Sequence, residues 1–256
     1  MSYGAFADYY DGLTTNVKYE AYADYLCQIL EQQHHDAGIT LDLACGTGSL
    51  TLALAERGLD VYGIDGSPEM LSVAQQKCAE QGKQILFLCQ QMQRIDLYGT
   101  VNTVFCVLDS INHMTKEADV QKTFERVSLF LEPGGYFIFD VNTVYKHQTV
   151  LGNNTFVYDT NQVFCVWQNH YLGAPEHLVD IELDFFEREG QVYYRSSEQF
   201  QERAYSTEQL AQMLTNAGLE MVAVYEEMTF SAPKDDSQRL VFEMCIRDRD
   251  CIAWFP

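Results

Sequence analysis

The chain of 256 residues is 47% hydrophobic and 21% charged, which provides for a sizeable core and excludes a disordered chain. Its 16 basic and 37 acidic residues leave a formal net charge of −21, a field that repels phosphate backbones and anionic lipid surfaces, so neither nucleic acid nor a membrane is an expected partner. Eight cysteines without a CxxC pair, most of them in apolar runs, argue against a metal site and a disulfide framework.

The N-terminal MSYGAFADYYDG has no basic segment leading into an apolar stretch, and no window reaches the roughly 18 apolar residues of a membrane span, so a soluble cytoplasmic setting is expected. Tyr22, Tyr25, Leu26, Ile29 and Leu30 recur at helical spacing and predict a helix from Tyr19 to His34. ITLDLA then reads as a buried strand, CGTG as a turn, and residues from about Thr47 to Arg57 as a helix. LDVYGID is a second strand. Ser67 caps a helix that has Pro68 in its first turn and runs to about Gln81. ILFLCQ, VNTVFCVLD, a helix from about Lys116 to Leu131, and GGYFIFDVN continue the alternation, and a mostly parallel sheet with helices on both faces follows.

From Asn153 the pattern changes. Val179, Ile181, Leu183 and Phe185 alternate with Asp180, Glu182 and Asp184, as in a half-exposed antiparallel strand. Turn signals at Asn153-Asn154, Gly173-Ala174-Pro175 and Glu189-Gly190 divide the stretch into three or four strands, a small antiparallel lid over residues 153–202. A helix from Thr207 to Asn216, ended by Gly218, and two strands (Leu219 to Glu227 and Gln238 to Ile246) return the chain to the main domain, residues 1–152 and 203–247. Residues 248–256 form a tail with no assigned role.

The chemistry concentrates in LDLACGTGSL. Gly46 and Gly48 permit positive φ and let backbone approach a ligand at a helix start, although such a turn is often structural. Asp65 ends the second strand 19 residues beyond Gly46, where an acidic side chain can accept hydrogen bonds from a ribose diol or, alternatively, favour the helix that follows. A nicotinamide dehydrogenase fits less well, since Thr51 stands where the third Gly or Ala of that fingerprint belongs.

With Asp42, Ala44, Gly46 and Gly48 matching the DxGxGxG signature, Ala44 replacing its first glycine, the chain resembles the class I S-adenosylmethionine-dependent methyltransferases. The resemblance implies a Rossmann-like α/β fold with a seven-stranded, mostly parallel sheet, a lid inserted after the fifth strand, S-adenosylmethionine as cofactor and a small-molecule methyl acceptor. It places Asp42 near the methionyl ammonium, Gly46 at the amino-acid part, and Asp65 with Gly66 at the ribose. Gln91 of CQQMQRIDL stands where an Asp usually reads the adenine amino group, and Met92 and Met70 are candidates to flank the ring. VLDSINH resembles the segment beside the transferred methyl, with Leu108 and Asp109 at the cofactor and Asn112 or His113 toward substrate. ADYYDGL resembles the segment that closes over the cofactor, which singles out Tyr10.

Asp109, His113 and Tyr10 are the candidates for a general base, needed only if the accepting atom is protonated. The lid aromatics Trp167, Tyr171, Phe185 and Tyr193 read as packing, and His147, His170 and His177 as loop or surface residues. A catalytically silent S-adenosylmethionine-binding module is the alternative from another class. A monomer or a homodimer is expected.

Overall fold

Strands whose consecutive residues are all apolar must be covered on both faces, and here they are. The computed structural model describes residues 4–14, 17–160 and 163–246. Its main sheet contains β1 (Ile39–Leu43), β2 (Asp60–Asp65), β3 (Phe87–Cys89), β4 (Val101–Cys106), β5 (Leu131–Asn142), β10 (Glu220–Glu226) and β11 (Arg239–Cys245), in the order β10-β11-β5-β4-β1-β2-β3. Strands β1 to β5 pair in parallel, and β11 runs antiparallel to both neighbours. The register sets Asp42 level with Gly63 of β2 and Phe105 of β4.

One face packs Val104, Phe137, Phe139 and Phe242 against α5 (Glu117–Phe130) and α6 (Thr207–Asn216). The other packs Phe105, Ile138 and Val241 against α2 (Tyr19–Gln32) and α3 (Ser49–Glu56). Adjacent residues of one strand thus serve opposite cores, which is why these strands read as apolar runs rather than alternations. Helix α4 (Pro68–Glu80) starts on Ser67, whose hydroxyl accepts the Met70 N–H at 3.2 Å. Helix α6 starts on a capping box between Ser206 and Gln209.

Between β5 and α6 the chain builds a second, antiparallel sheet of β6 (Thr155–Asp159), β7 (Val163–Gly173), β8 (Leu178–Glu189) and β9 (Val192–Arg203). Val179, Ile181, Leu183 and Phe185 form its buried face, against Ala7 and Leu13 of α1 (Gly4–Leu13) and Met70 of α4. Each such apolar side chain taken from water contributes about 1.5–3 kcal/mol.

Three features depart from the sequence expectation. The aromatic N-terminal segment is helical as α1. A π-helical turn at Lys146–Leu151 follows β5, and within it His147 is fully buried, not at the surface, with Nδ1 3.3 Å from the His177 carbonyl. His177 is half-buried beneath Tyr171, whose hydroxyl lies 2.6 Å from its Nδ1, whereas His170 is exposed. Residues 248–256 lie outside the described residues.

Candidate active site

A cavity of about 390 Å³ opens at the carboxyl ends of β1, β2 and β4, the place where open parallel sheets receive ligands. Asp42, near the end of β1, lines it while only 2% exposed. Thr51 donates its hydroxyl to Asp42 Oδ2 at 2.5 Å. Burial pushes the Asp42 carboxyl up to about 7, against the Thr51 bond and with help from the Asp65 charge. Thr51 is thus a buried partner of Asp42 and not a close-approach position of a dinucleotide fingerprint.

The turn after β1 has Ala44, Gly46 and Gly48 at φ of 61°, 54° and 73°. A Cβ on Gly46 would meet nothing within 4 Å, so its backbone faces open space. A Cβ on Gly48 would lie 2.8 Å from Ala74 Cβ, so this glycine serves the contact with α4. Asp65 accepts the Gly46 N–H at 2.9 Å and the Ser67 N–H at 2.8 Å. Burial raises its carboxyl, and these two bonds work against the rise. Gly66 is closely covered by the Gln91 side chain, whose Nε2 donates to the Gly66 carbonyl at 3.3 Å. Gln91, Met92 and buried Met70 line the same cavity.

Beyond β4, Leu108 and Asp109 both adopt left-handed backbone, at φ of 58° and 55°. Asp140, fully buried in β5, fixes this turn by accepting the Leu108 N–H at 2.7 Å and the Asp109 N–H at 2.6 Å. The Tyr22 hydroxyl also donates to Asp140. Arg239, opening β11, pairs with Asp140 at 2.7 Å, Asp109 at 2.9 Å and Glu227 at 3.1 Å. Burial pushes the Asp109 carboxyl up, but Arg239, with Lys146 and His113, outweighs it and holds Asp109 well below the usual carboxylate range. A carboxylate so held is a poor proton acceptor.

Tyr10 of α1 lines the cavity, and burial raises its phenol well above 10, so it stands there as a neutral hydroxyl. Helix α1 is clasped to the glycine turn: Asp11 accepts from the Thr47 hydroxyl at 2.7 Å and the Ser49 hydroxyl at 3.2 Å, and pairs with Lys77. Asn112 and His113 part company. The Asn112 amide is consumed in the core, donating to the Asn142 and Arg203 carbonyls and accepting the Asn142 N–H. His113 lines the cavity, its ring 5.3 Å from that of Phe200 in the second sheet. Trp167 and Tyr171 are half-buried against the second sheet's apolar cluster, Phe185 lies fully inside it, and Tyr193 is exposed.

Asp11, Asp140, Asn142, Glu202 and Arg239 escape sequence reasoning. Asp140 and Asn142 carry the one visible signal, as polar residues inside the apolar run of β5.

Residues 40–135 match a family described as a methyltransferase domain. Over 244 residues, 95% of this chain and 96% of the relative, the sequence is 35% identical to the putative methyltransferase YqeM of Bacillus subtilis (strain 168). An S-adenosylmethionine-dependent methyltransferase from Clostridium acetobutylicum ATCC 824 superposes with a TM-score of 0.86 at 32% identity, covering 95% of this chain and 98% of that one. A glycine/sarcosine N-methyltransferase of Parasynechococcus marenigrum (strain WH8102) is 34% identical over 139 residues, 53% of this chain and 48% of that protein.

Proposed function

The chain belongs to the class I S-adenosylmethionine-dependent methyltransferases, and from that membership we propose that its cavity holds the cofactor on Asp42, Gly46 and Asp65 and turns the methyl group toward His113 and the second sheet. The enzyme transfers a methyl group to a small-molecule acceptor. The observation that carries the site assignment is the convergence of two strand-end carboxylates, Asp42 and Asp65, on one cavity across a glycine whose backbone is open. A cofactor with an ammonium, a sulfonium and a ribose diol fits that lining: cationic groups meet carboxylates, and the diol meets an acceptor with lone pairs to spare.

Asp42 would hold the methionyl ammonium, the Gly46 backbone the amino-acid part, and Asp65 with Gly66 the ribose hydroxyls. Met70 and Met92 would flank the adenine, with Gln91 at its amino group and Leu108 beside the sulfonium. When bound, the cofactor supplies an electrophilic methyl with a good leaving group. The chain's own work is then to orient the acceptor in line and exclude water, which Tyr10 on the clasped α1 and the wall around Phe200 are placed to do. Among the three base candidates, Asp109 is ion-paired and Tyr10 is neutral, while the His113 ring stands at the cavity wall.

The second sheet, residues 153–202, is the substrate wall in this reading, because it is inserted beside the cavity and brings Phe200 to His113. None of the seven described cysteines is joined in a disulfide, which suits a reducing cytoplasm, where the protein acts as a monomer or homodimer. No helix among the described residues is long and apolar enough to cross a membrane. The test is transfer of labelled methyl from S-adenosylmethionine into a metabolite extract, expected for the wild-type chain and lost in Asp42→Ala. Binding of S-adenosylhomocysteine without any transfer to any extract would make the chain a silent binding module.

A further inference from the structure

Beside the cavity, on the substrate side, Asp109, His113 and Glu202 each offer one ligand atom within 4.8 Å of the others, the one such group among the described residues. Glu202, on β9, is 4% exposed, and its Oε2, 3.4 Å from His147 Nε2, makes no hydrogen bond. A buried carboxylate left in that state is costly unless a proton or a cation completes it. Two imidazoles bracket it: His113 Nε2 stands 3.7 Å from Oε1, and His147 Nε2 stands 3.4 Å from Oε2. The first distance is long for a hydrogen bond. It is close to the separation of two ligands on one ion, since atoms each about 2.1 Å from a tetrahedral metal lie roughly 3.4 Å apart.

The surrounding charge points the same way. Asp109, Asp140, Glu202 and Glu227 are four carboxylates in one connected group, and Arg239 and Lys146 are the two cations that act on it. Leaving the two imidazoles out of the count, two negative charges remain, the amount a divalent cation supplies. The flanking bonds resemble those that orient metal ligands. Asp109 is steadied by Arg239 at Oδ1 and by the Asn142 amide at Oδ2, which still leaves lone pairs on both oxygens. His147, with its other nitrogen at the His177 carbonyl, backs the far oxygen of Glu202.

We propose that Asp109, His113 and Glu202 form a binding site for a first-row divalent metal ion at the acceptor side of the cofactor cavity. One imidazole and two carboxylates suit manganese, iron or zinc better than they suit calcium or copper(I). No cysteine is involved, so cysteine spacing gives no notice of it. Since His113 also lines the cavity, an ion held there would stand beside the place where the acceptor would sit. An oxygen of the acceptor bound there would lose its proton more readily, a role that rests on the methyltransferase reading.

The experiment titrates Mn²⁺ alone into the full chain after chelator treatment, following free Mn²⁺ by electron paramagnetic resonance, with S-adenosylhomocysteine binding measured separately. Manganese avoids the free thiols, which hard cations bind weakly. We expect one saturable equivalent, with affinity lowered at least about tenfold in Glu202→Gln and in His113→Ala and kept in Glu176→Gln, at an exposed position away from the site. His113 is half-exposed, so its variant keeps the test open should the buried Glu202 variant fail to fold. Absence of saturable Mn²⁺ binding, or binding undiminished in the folded variants, would overturn the proposal and leave a protonated histidine or an acceptor ammonium as the counter-charge. Failure to bind S-adenosylhomocysteine would instead strike the cofactor assignment.

Discussion

The carboxylate of Asp65 accepts the backbone N–H of Gly46 at 2.9 Å, joining the end of β2 to the turn after β1. One side chain therefore braces the glycine turn and lines the cavity. A carboxylate has about four acceptor sites, and the bonds from Gly46 and Ser67 occupy two. If Asp65 also holds the ribose, as proposed, turn geometry and cofactor binding are coupled through a single residue, and a substitution there costs both.

Asp42 gives the first prediction. Its folded value is raised to about 7 by burial, so the folded state holds this proton more tightly than the unfolded one, whose carboxyl titrates near 4. The stability it contributes is fully present below about pH 4 and is lost as pH rises through about 7, by an amount on the order of a few kcal/mol. Wild type should therefore weaken relative to Asp42→Asn between pH 5 and pH 8 in urea unfolding. Parallel curves for the two proteins would show that Asp42 ionises normally.

The same proton bears on the cofactor. If the Asp42 carboxylate meets the methionyl ammonium, S-adenosylhomocysteine should bind more tightly at pH 8 than at pH 6, with proton release near neutrality. Calorimetry in buffers of different ionisation enthalpy measures that release. A binding constant flat across this range would separate Asp42 from the ammonium.

Arg239 is 10% exposed at its side chain and neutralises Asp109 and buried Asp140 together. Arg239→Met leaves both charges uncompensated, which typically costs about 3–5 kcal/mol. Chemical denaturation should show that loss. A change below about 1 kcal/mol would mean that the Leu108–Asp109 turn does not depend on the pair.

Glycines 46 and 48 should respond differently. Gly48→Ala places a Cβ 2.8 Å from Ala74 Cβ at a φ of 73°, so strain and overpacking should lower stability by about 1–3 kcal/mol. Gly46→Ala meets no atom, and should mainly weaken S-adenosylhomocysteine binding by putting a methyl into the cavity, beyond about 1 kcal/mol of backbone strain. Thermal melts beside calorimetry on both variants check the contrast, and equal binding losses would refute it.

What the sequence conveyed and what it hid divide by chain separation. Asp42, Gly46 and Gly48 lie within one strand, turn and helix, and Asp65 ends the next strand, so local periodicity locates them. Asp140 and Arg239 are 99 residues apart, and nothing local says that they meet. Asn112 looks like a substrate ligand until β9 brings the Arg203 carbonyl to its amide. His147 reads as a surface residue because a π-helical turn has no sequence signature, and its neighbours in space, the His177 carbonyl and Glu202 of β9, lie 30 or more residues further along the chain. Helix α1 was illegible for a related reason: its hold on the fold comes from Thr47, Ser49 and Lys77 gripping Asp11 and from the apolar face of the second sheet.

The most direct test of the cofactor site is calorimetric titration of S-adenosylhomocysteine into Asp65→Ala, with its unfolding free energy measured on the same preparation. Loss of two charge-assisted hydrogen bonds to the ribose, each worth roughly 1.5–3 kcal/mol, should lower affinity by about two orders of magnitude or more. Stability should fall too, by about 1–3 kcal/mol for each orphaned N–H that stays buried, and Asp65→Asn should lie between wild type and Ala in both quantities. A folded Asp65→Ala protein that binds S-adenosylhomocysteine with wild-type affinity would contradict the assignment of this cavity to the cofactor.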